Sequence, residues 1–276
     1  MMSFLLQPLS YEFMQRGMAA SIIVGLVCSV IGCYVVLRSM AFLGDALAHA
    51  ILPGVAIAYL FGGNLMIGAL IASILVALGI GFFSRHGTIR EDTAIGVLFS
   101  AALALGIALI STIRSYAVDL THIMFGDVLG VGSSDLYQIG ILTIFIFGVV
   151  YIYYRPFKII SFDPILATTL RLPAERLRIL MLILISLTIV VSLQTVGIGL
   201  VAALLVTPAA SAYLLTNRLS RMMIVSSIIG VASSIIGLYI SYYASIASGA
   251  AIVLISTFIF IIAYLFSPRK GILRLT

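Results

Sequence analysis

Nine long apolar runs decide what this chain can fold into. They are Met18–Leu37, Ala46–Phe61, Leu65–Phe83, Ala94–Ile113, Leu136–Tyr154, Ile179–Val196, Ile198–Leu215, Met222–Tyr243 and Ala250–Phe266. A helix needs roughly 20 apolar residues to cross the hydrocarbon of a bilayer. Lipid offers the backbone no hydrogen bonds, so a spanning segment must satisfy its own. The runs therefore predict an all-α, polytopic integral membrane protein with about eight or nine transmembrane helices, all in one domain over residues 1–276. Two runs stand apart. The second is short, carries Pro53, and is separated from the third only by Gly62, Gly63 and Asn64; the seventh is short and holds Pro208. Interrupted segments of this kind line cavities and pathways in membrane proteins. The second run is thus either a full span or a re-entrant piece. The first run is too long for the apolar core of a cleavable leader and is expected to remain in the protein.

Composition removes the soluble alternatives. The chain is 63% hydrophobic and 9% charged, where a soluble domain is about a quarter charged. Its net charge of +6 reads as basic cytoplasmic loops, not as a nucleic-acid surface. With the C-terminus placed in the cytoplasm, the inner loops hold Arg38, Arg85, Arg90, Arg155, Lys158, Arg171, Arg176, Arg178, Arg218, Arg221, Arg269, Lys270 and Arg274, leaving only Arg16 and Arg114 outside. An odd number of spans then puts the N-terminus outside. Cys28 and Cys33 lie within one apolar run and read as packing residues. The methionines read as core filler. No phosphate-binding loop of the G-x-x-x-x-G-K-[ST] type occurs, so ATP hydrolysis is not expected of this chain. No set of nucleophile and base that would make it an enzyme stands out.

The informative charges are few. Asp45 and His49 open the second run at spacing i, i+4, which places both on one helix face. An ionisable group at a membrane span is costly and by default functional. A carboxylate and an imidazole together offer oxygen and nitrogen ligands to a divalent transition metal. The alternative makes Asp45 the N-cap of its helix and His49 a packing residue. Asp119, His122 and Asp127 form a second polar group in a long outer interruption, where a solvated loop is the competing reading, as it is for His86 in an inner loop. In the inner stretch Arg155–Arg178, Asp163-Pro164 predicts a helix start, with Asp163 as N-cap and Pro164 in the first turn. The short helix through Leu170 is either a docking element or a simple interfacial anchor.

These residues carry a resemblance. Asp45-Ala46-Leu47-Ala48-His49-Ala50-Ile51-Leu52-Pro53-Gly54 is similar to the signature of manganese/zinc ABC-importer permeases, and further blocks agree in order: Asp92–Gly96, His122–Leu129, Ser161–Pro164, Gln194–Gly197, Ala202–Ala210 and Ser248–Leu254. The likeness covers nearly the whole chain. It implies a fold similar to cobalamin-type (type II) importer permeases, a second permease copy or paralogue, cytoplasmic ABC ATPase subunits, an extracellular solute-binding protein, and a plasma-membrane location among lipid, with no nucleic acid. It implies that Asp45 and His49 coordinate the metal in the translocation path, with His122 and Asp127 beside them, and that no cofactor is bound tightly. It implies that Asp163, Pro164, Ala167, Leu170 and Arg171 form the coupling element that meets the ATPase. One departure appears: the family places a glycine where Arg171 stands, so either the turn differs or Arg171 pairs with the ATPase. Oxygen and nitrogen ligands from two copies suit manganese or ferrous iron, and zinc remains the alternative cargo. A secondary metal carrier without an ATPase is the alternative of another class.

Overall fold

The computed structural model describes residues 7–85, 89–112 and 128–267. Among these the regular structure is helical. The helices are α1 (Glu12–Leu37), α2 (Ala41–Ala50), α3 (Leu52–Leu60), α4 (Leu65–Ser84), α5 (Glu91–Ser111), α6 (Ser133–Ile152), α7 (Tyr154–Phe162), α8 (Pro164–Thr169), α9 (Ala174–Val196), α10 (Ile198–Leu215), α11 (Leu219–Ala244) and α12 (Ser248–Phe266). Eight segments are long and apolar enough to cross a membrane: α1, α2 with α3, α4, α5, α6, α9, α11 and α12; α10 is the shorter apolar helix. The second run is thus part of a span-length segment, broken at Ile51 just ahead of Pro53. Its helix begins at Ala41, earlier than the apolar run suggests, because the polar positions of α2 lie on one face and do not end it.

The bundle has two ends, and contacts assign each helix terminus to one of them. Arg38, after α1, reaches Glu91 at the start of α5, while Arg178 near the start of α9 reaches Ser84 at the end of α4. At this same end Leu37, Phe162, Leu214 and Met222 line a common cavity, and the Ser267 hydroxyl after α12 donates to the Leu214 carbonyl at 2.8 Å. At the other end Tyr11 packs on Tyr242, with ring centroids 6.3 Å apart. Helix α10 therefore runs from Gly197 back to the Arg38 end, so this short helix also passes between the two ends. Gly197 makes the reversal at φ 78°, ψ 165°, a region open essentially to glycine alone. Every described Lys and Arg other than Arg16 follows the connectivity to the Arg38 end.

Small residues let the inner helices approach closely, as expected where lipid supplies no hydrophobic drive between them. A Cβ on Gly25 of α1 would lie 3.0 Å from Ser234 Oγ and 3.1 Å from the Gly230 carbonyl of α11. The Ser226 hydroxyl of α11 donates across to the Ser29 carbonyl at 3.1 Å. Cys28 and Cys33 are free and buried in this core, as their apolar run predicts. Helix α7 was not legible as a separate element: its basic residues read as loop, but Phe157 and Ile160 bury one face of it.

Candidate functional site

Helix α2 is amphipathic over barely three turns. Leu43, Ala46, Leu47 and Ala50 recur at i, i+3, i+4, i+7 and are buried; Phe42, Asp45 and His49 occupy the opposite face. The buried face is tight. A Cβ added to Gly44 would come within 2.8 Å of Leu205 Cδ2 on α10. The polar face is open, with the Asp45 side chain 42% and the His49 side chain 25% exposed.

The structure brings Asp45 and His49 together as the spacing predicts. Nδ1 of His49 lies 3.0 Å from the backbone carbonyl of Asp45 and 3.6 Å from its Oδ1. A carbonyl can only accept, so Nδ1 is the nitrogen that donates, and in the neutral ring the lone pair then lies on Nε2. That is the tautomer a metal ligand needs, with the second nitrogen held by a backbone acceptor. Phe99 of α5 stands edge-on to the imidazole, centroids 6.0 Å apart, and also against Phe42 at 5.7 Å. The ring is therefore oriented from both sides while Nε2 stays available.

The N-cap alternative for Asp45 fails. Met40 is the N-cap of α2, and Asp45 sits more than a turn inside the helix. Its carboxylate is not committed to a backbone N–H and is free to serve as a ligand. Among the described residues no group of three or more His, Cys, Asp or Glu side chains converges on one point. Asp45 and His49 thus offer two candidate ligand side chains, short of a full set among the described residues. His122 and Asp127, like Asp119 and His86, lie outside the described residues.

The second predicted element also forms. Asp163 caps α8, its Oδ1 accepting from the N–H of Ile165 and of Leu166, each at 2.9 Å, and Pro164 takes the first turn. Ala167 is fully buried and anchors the helix, while Phe162, Ile165, Leu166 and Leu170 project outward from the basic end of the bundle. The turn at Arg171 keeps the form a glycine would give it. Arg171 has φ 55°; its N–H donates to the Thr168 carbonyl and that of Leu172 to the Ala167 carbonyl, each at 3.0 Å. This is the paired 5→2 and 6→1 closure of a Schellman motif, with arginine in the left-handed position. The turn is preserved, and among the described residues the Arg171 side chain makes no salt bridge.

Sequence reasoning missed Glu91. It counted Arg38 and Arg178 as loop charge, yet both turn inward onto this carboxylate. Burial lowers the pKa of Arg38 from the ordinary arginine value, and Glu91 opposes that shift. The available signal was an acid at the junction of a basic loop and an apolar run; the partners, 53 and 87 positions away, had none.

The chain is 47% identical over 267 residues to the manganese transport system membrane protein MntC of Halalkalibacterium halodurans, covering 97% of this chain and 91% of that one. It is 39% identical over 273 residues to a probable iron transport system membrane protein of Haemophilus influenzae, covering 99% and 96%. The solved structure of PsaBC from Streptococcus pneumoniae in complex with Fab superposes with a TM-score of 0.87 at 36% identity, over 100% of this chain and 99% of that one. The expected all-α permease architecture is therefore the observed one. The family model for the ABC 3 transport family matches residues 10–267, and this multi-pass membrane protein belongs to that family.

Proposed function

We propose that this chain is the permease subunit of an ATP-driven importer that carries manganese into the cytoplasm. The observation that carries the reading is the Asp45–His49 pair, one turn apart on the open face of a helix broken ahead of Pro53. The pair offers one carboxylate and one imidazole per chain. A second copy of the permease, or a paralogue, covering this face would bring the set to two oxygens and two nitrogens. The exposed apolar side chain of Phe42, beside the pair, suits such a partner. With added waters that ligand set fits manganese or ferrous iron; zinc favours four ligands, mostly nitrogen and sulfur. The relative at 47% identity that is named for manganese supports the choice. His122 and Asp127 are further candidate ligands on the family pattern.

The basic end of the bundle is cytoplasmic by the positive-inside rule. The N-terminus then lies outside and the C-terminus inside. Helix α8, with Asp163, Pro164, Ala167, Leu170 and Arg171, faces a separate cytoplasmic ABC ATPase, which hydrolyses the ATP. A solute-binding protein delivers the metal at the other end. The cargo is held transiently and nothing is bound as a resident cofactor.

The test is radiolabelled manganese uptake into proteoliposomes holding the permease with its ATPase and solute-binding protein, with zinc and ferrous iron as competitors. Saturable, ATP-dependent uptake that His49→Ala abolishes is the expected result. Preferential uptake of zinc or iron would keep the mechanism and replace the cargo. Uptake without ATP would favour a secondary carrier.

A further inference from the structure

Arg38, Glu91, Glu175 and Arg178 form one ion cluster where four stretches of chain converge. Arg38 Nη2 donates to Glu91 Oε2 at 3.0 Å. Arg178 Nη2 donates to Glu175 Oε1 and to the Gly81 carbonyl, both at 2.7 Å, and Arg178 Nη1 donates to Ser84 Oγ at 2.8 Å. Two positive charges meet two negative ones. The side chains of Arg38, Arg178 and Glu91 are only 12%, 14% and 21% exposed. Charges so buried are tolerated when they are paired and hydrogen-bonded.

One pairing is left open. Glu91 Oε1 stands 3.8 Å from Arg178 Nη1, beyond hydrogen-bond length. Both Glu91 Oε1 and Arg178 Nε are buried without a hydrogen-bond partner. A partly satisfied charged network favours any arrangement that completes it. A shift of about 1 Å near the start of α9 would bring Nη1 to the length of a charge-assisted bond. The Glu91–Arg178 contact is therefore the place where a small movement of α9 changes the bonding of the cluster.

Chain connectivity says what would drive that shift. Glu175 lies in the first turn of α9 and Arg178 opens the second, and only residues 170–173 separate α9 from α8. A cavity of about 290 Å³, lined by Thr168, Arg38 and Arg178 among others, lies between the end of α8 and the cluster and leaves room for movement. On the far side, Arg38 is the C-cap of α1, three residues ahead of α2. Glu91 opens α5, which carries Phe99 against His49. One carboxylate thus joins the segment behind α8 to both helices that shape the metal pair.

We propose that Glu91 is a positioning residue for transport: it passes a displacement of α8 to α2 and α5, and so to Asp45 and His49. The inference rests on reading the chain as an ATP-driven permease. The experiment measures manganese uptake and ATP hydrolysis in the same proteoliposomes for wild type, Glu91→Gln and Glu91→Asp, with the thermal midpoint of each complex. Glu91→Gln keeps the size and an acceptor but removes the charge that draws Arg178. The expected result is near-normal hydrolysis, unchanged KM for manganese and at least about fivefold less metal moved per ATP, the lower end of typical coupling energies. Glu91→Asp should fall between. Uptake and hydrolysis declining together, in step with the amount of folded complex, would reduce Glu91 to a structural role and overturn the proposal; an unchanged ratio would overturn it too. If Glu91→Gln does not assemble, Arg178→Lys is the second variant, with the same expected ratio and the same overturning result. A wild-type complex without ATP-driven uptake would bring down the functional reading itself, an outcome the wild-type control separates from the others.

Discussion

Two charged groups in this bundle are built on opposite principles. At Asp45 and His49 the side chains are 42% and 25% exposed, share a single face of a short helix, and leave Nε2 and the carboxylate open. At Arg38, Glu91, Glu175 and Arg178 the three central side chains are largely buried, and the bonds tie α1, α4, α5 and α9 together. A group that passes an ion onward must keep ligand positions vacant, since a saturated site would not release. A group that holds helices in register pairs its charges, since an unpaired buried charge is expensive, and here only Glu91 Oε1 and Arg178 Nε stay without a hydrogen bond. Both groups rest on ionisable side chains, and exposure and bonding tell them apart.

The sharpest way to break that contrast is to empty the open pair. Asp45→Ala or His49→Ala should lower manganese uptake by at least about 100-fold, exceeding the 10–100-fold typical of groups that merely support a ligand. The thermal midpoint of the purified protein should stay at its wild-type value, because neither side chain fills the core. A large fall in stability with modest loss of uptake would make the pair structural. The closed cluster should behave in reverse. Glu91→Ala leaves Arg38 and Arg178 buried without that counter-charge, an expected loss of about 3 kcal/mol. Thermal or denaturant unfolding in detergent checks it, and an unchanged midpoint would show that water reaches the cluster and screens it.

The two groups were not equally legible in the sequence. Asp45 and His49 could be found because their relation is local, four positions on one helix, and because charge at an apolar run has few innocent explanations. Their freedom was not legible: the apolar pattern starts at Ala46 and made Asp45 look like a cap, whereas the helix starts at Ala41. The spans were legible from length and hydropathy, and Pro53 marked the break. The Glu91 cluster was hidden because Arg38 and Arg178 obey the positive-inside pattern perfectly well as loop residues. Only the fold brings positions 38, 91 and 178 together.

The α8 end of the bundle offers finer tests. Asp163 donates no packing and holds α8 by its two accepted hydrogen bonds. Asp163→Ala should cost about 1 kcal/mol of local helix stability and weaken association with the ATPase several-fold, read by co-purification or by surface plasmon resonance on the reconstituted permease. Asp163→Asn, an equally good cap, should restore most of the association. Equal loss in both variants would assign the effect to the negative charge and not to the cap.

Arg171 poses the smallest effect and the most discriminating one. Its φ of 55° places a side chain where a left-handed backbone costs an L-residue about 1–2 kcal/mol and a glycine almost nothing. The turn closes with the same two hydrogen bonds whatever the side chain, so the strain is not needed to make the motif. Arg171→Gly should therefore raise stability by about 1 kcal/mol, a rise of roughly 2–4 °C in thermal midpoint for a domain of this size. On the proposed coupling role, the charge of this exposed arginine offsets the strain through a contact outside the chain. Arg171→Gly should weaken ATPase association even as it stabilises the permease, while Arg171→Lys should keep the association and gain no stability. Stabilisation without any change in association would leave the arginine as strain with no partner, and would narrow the coupling surface to the apolar side chains of α8.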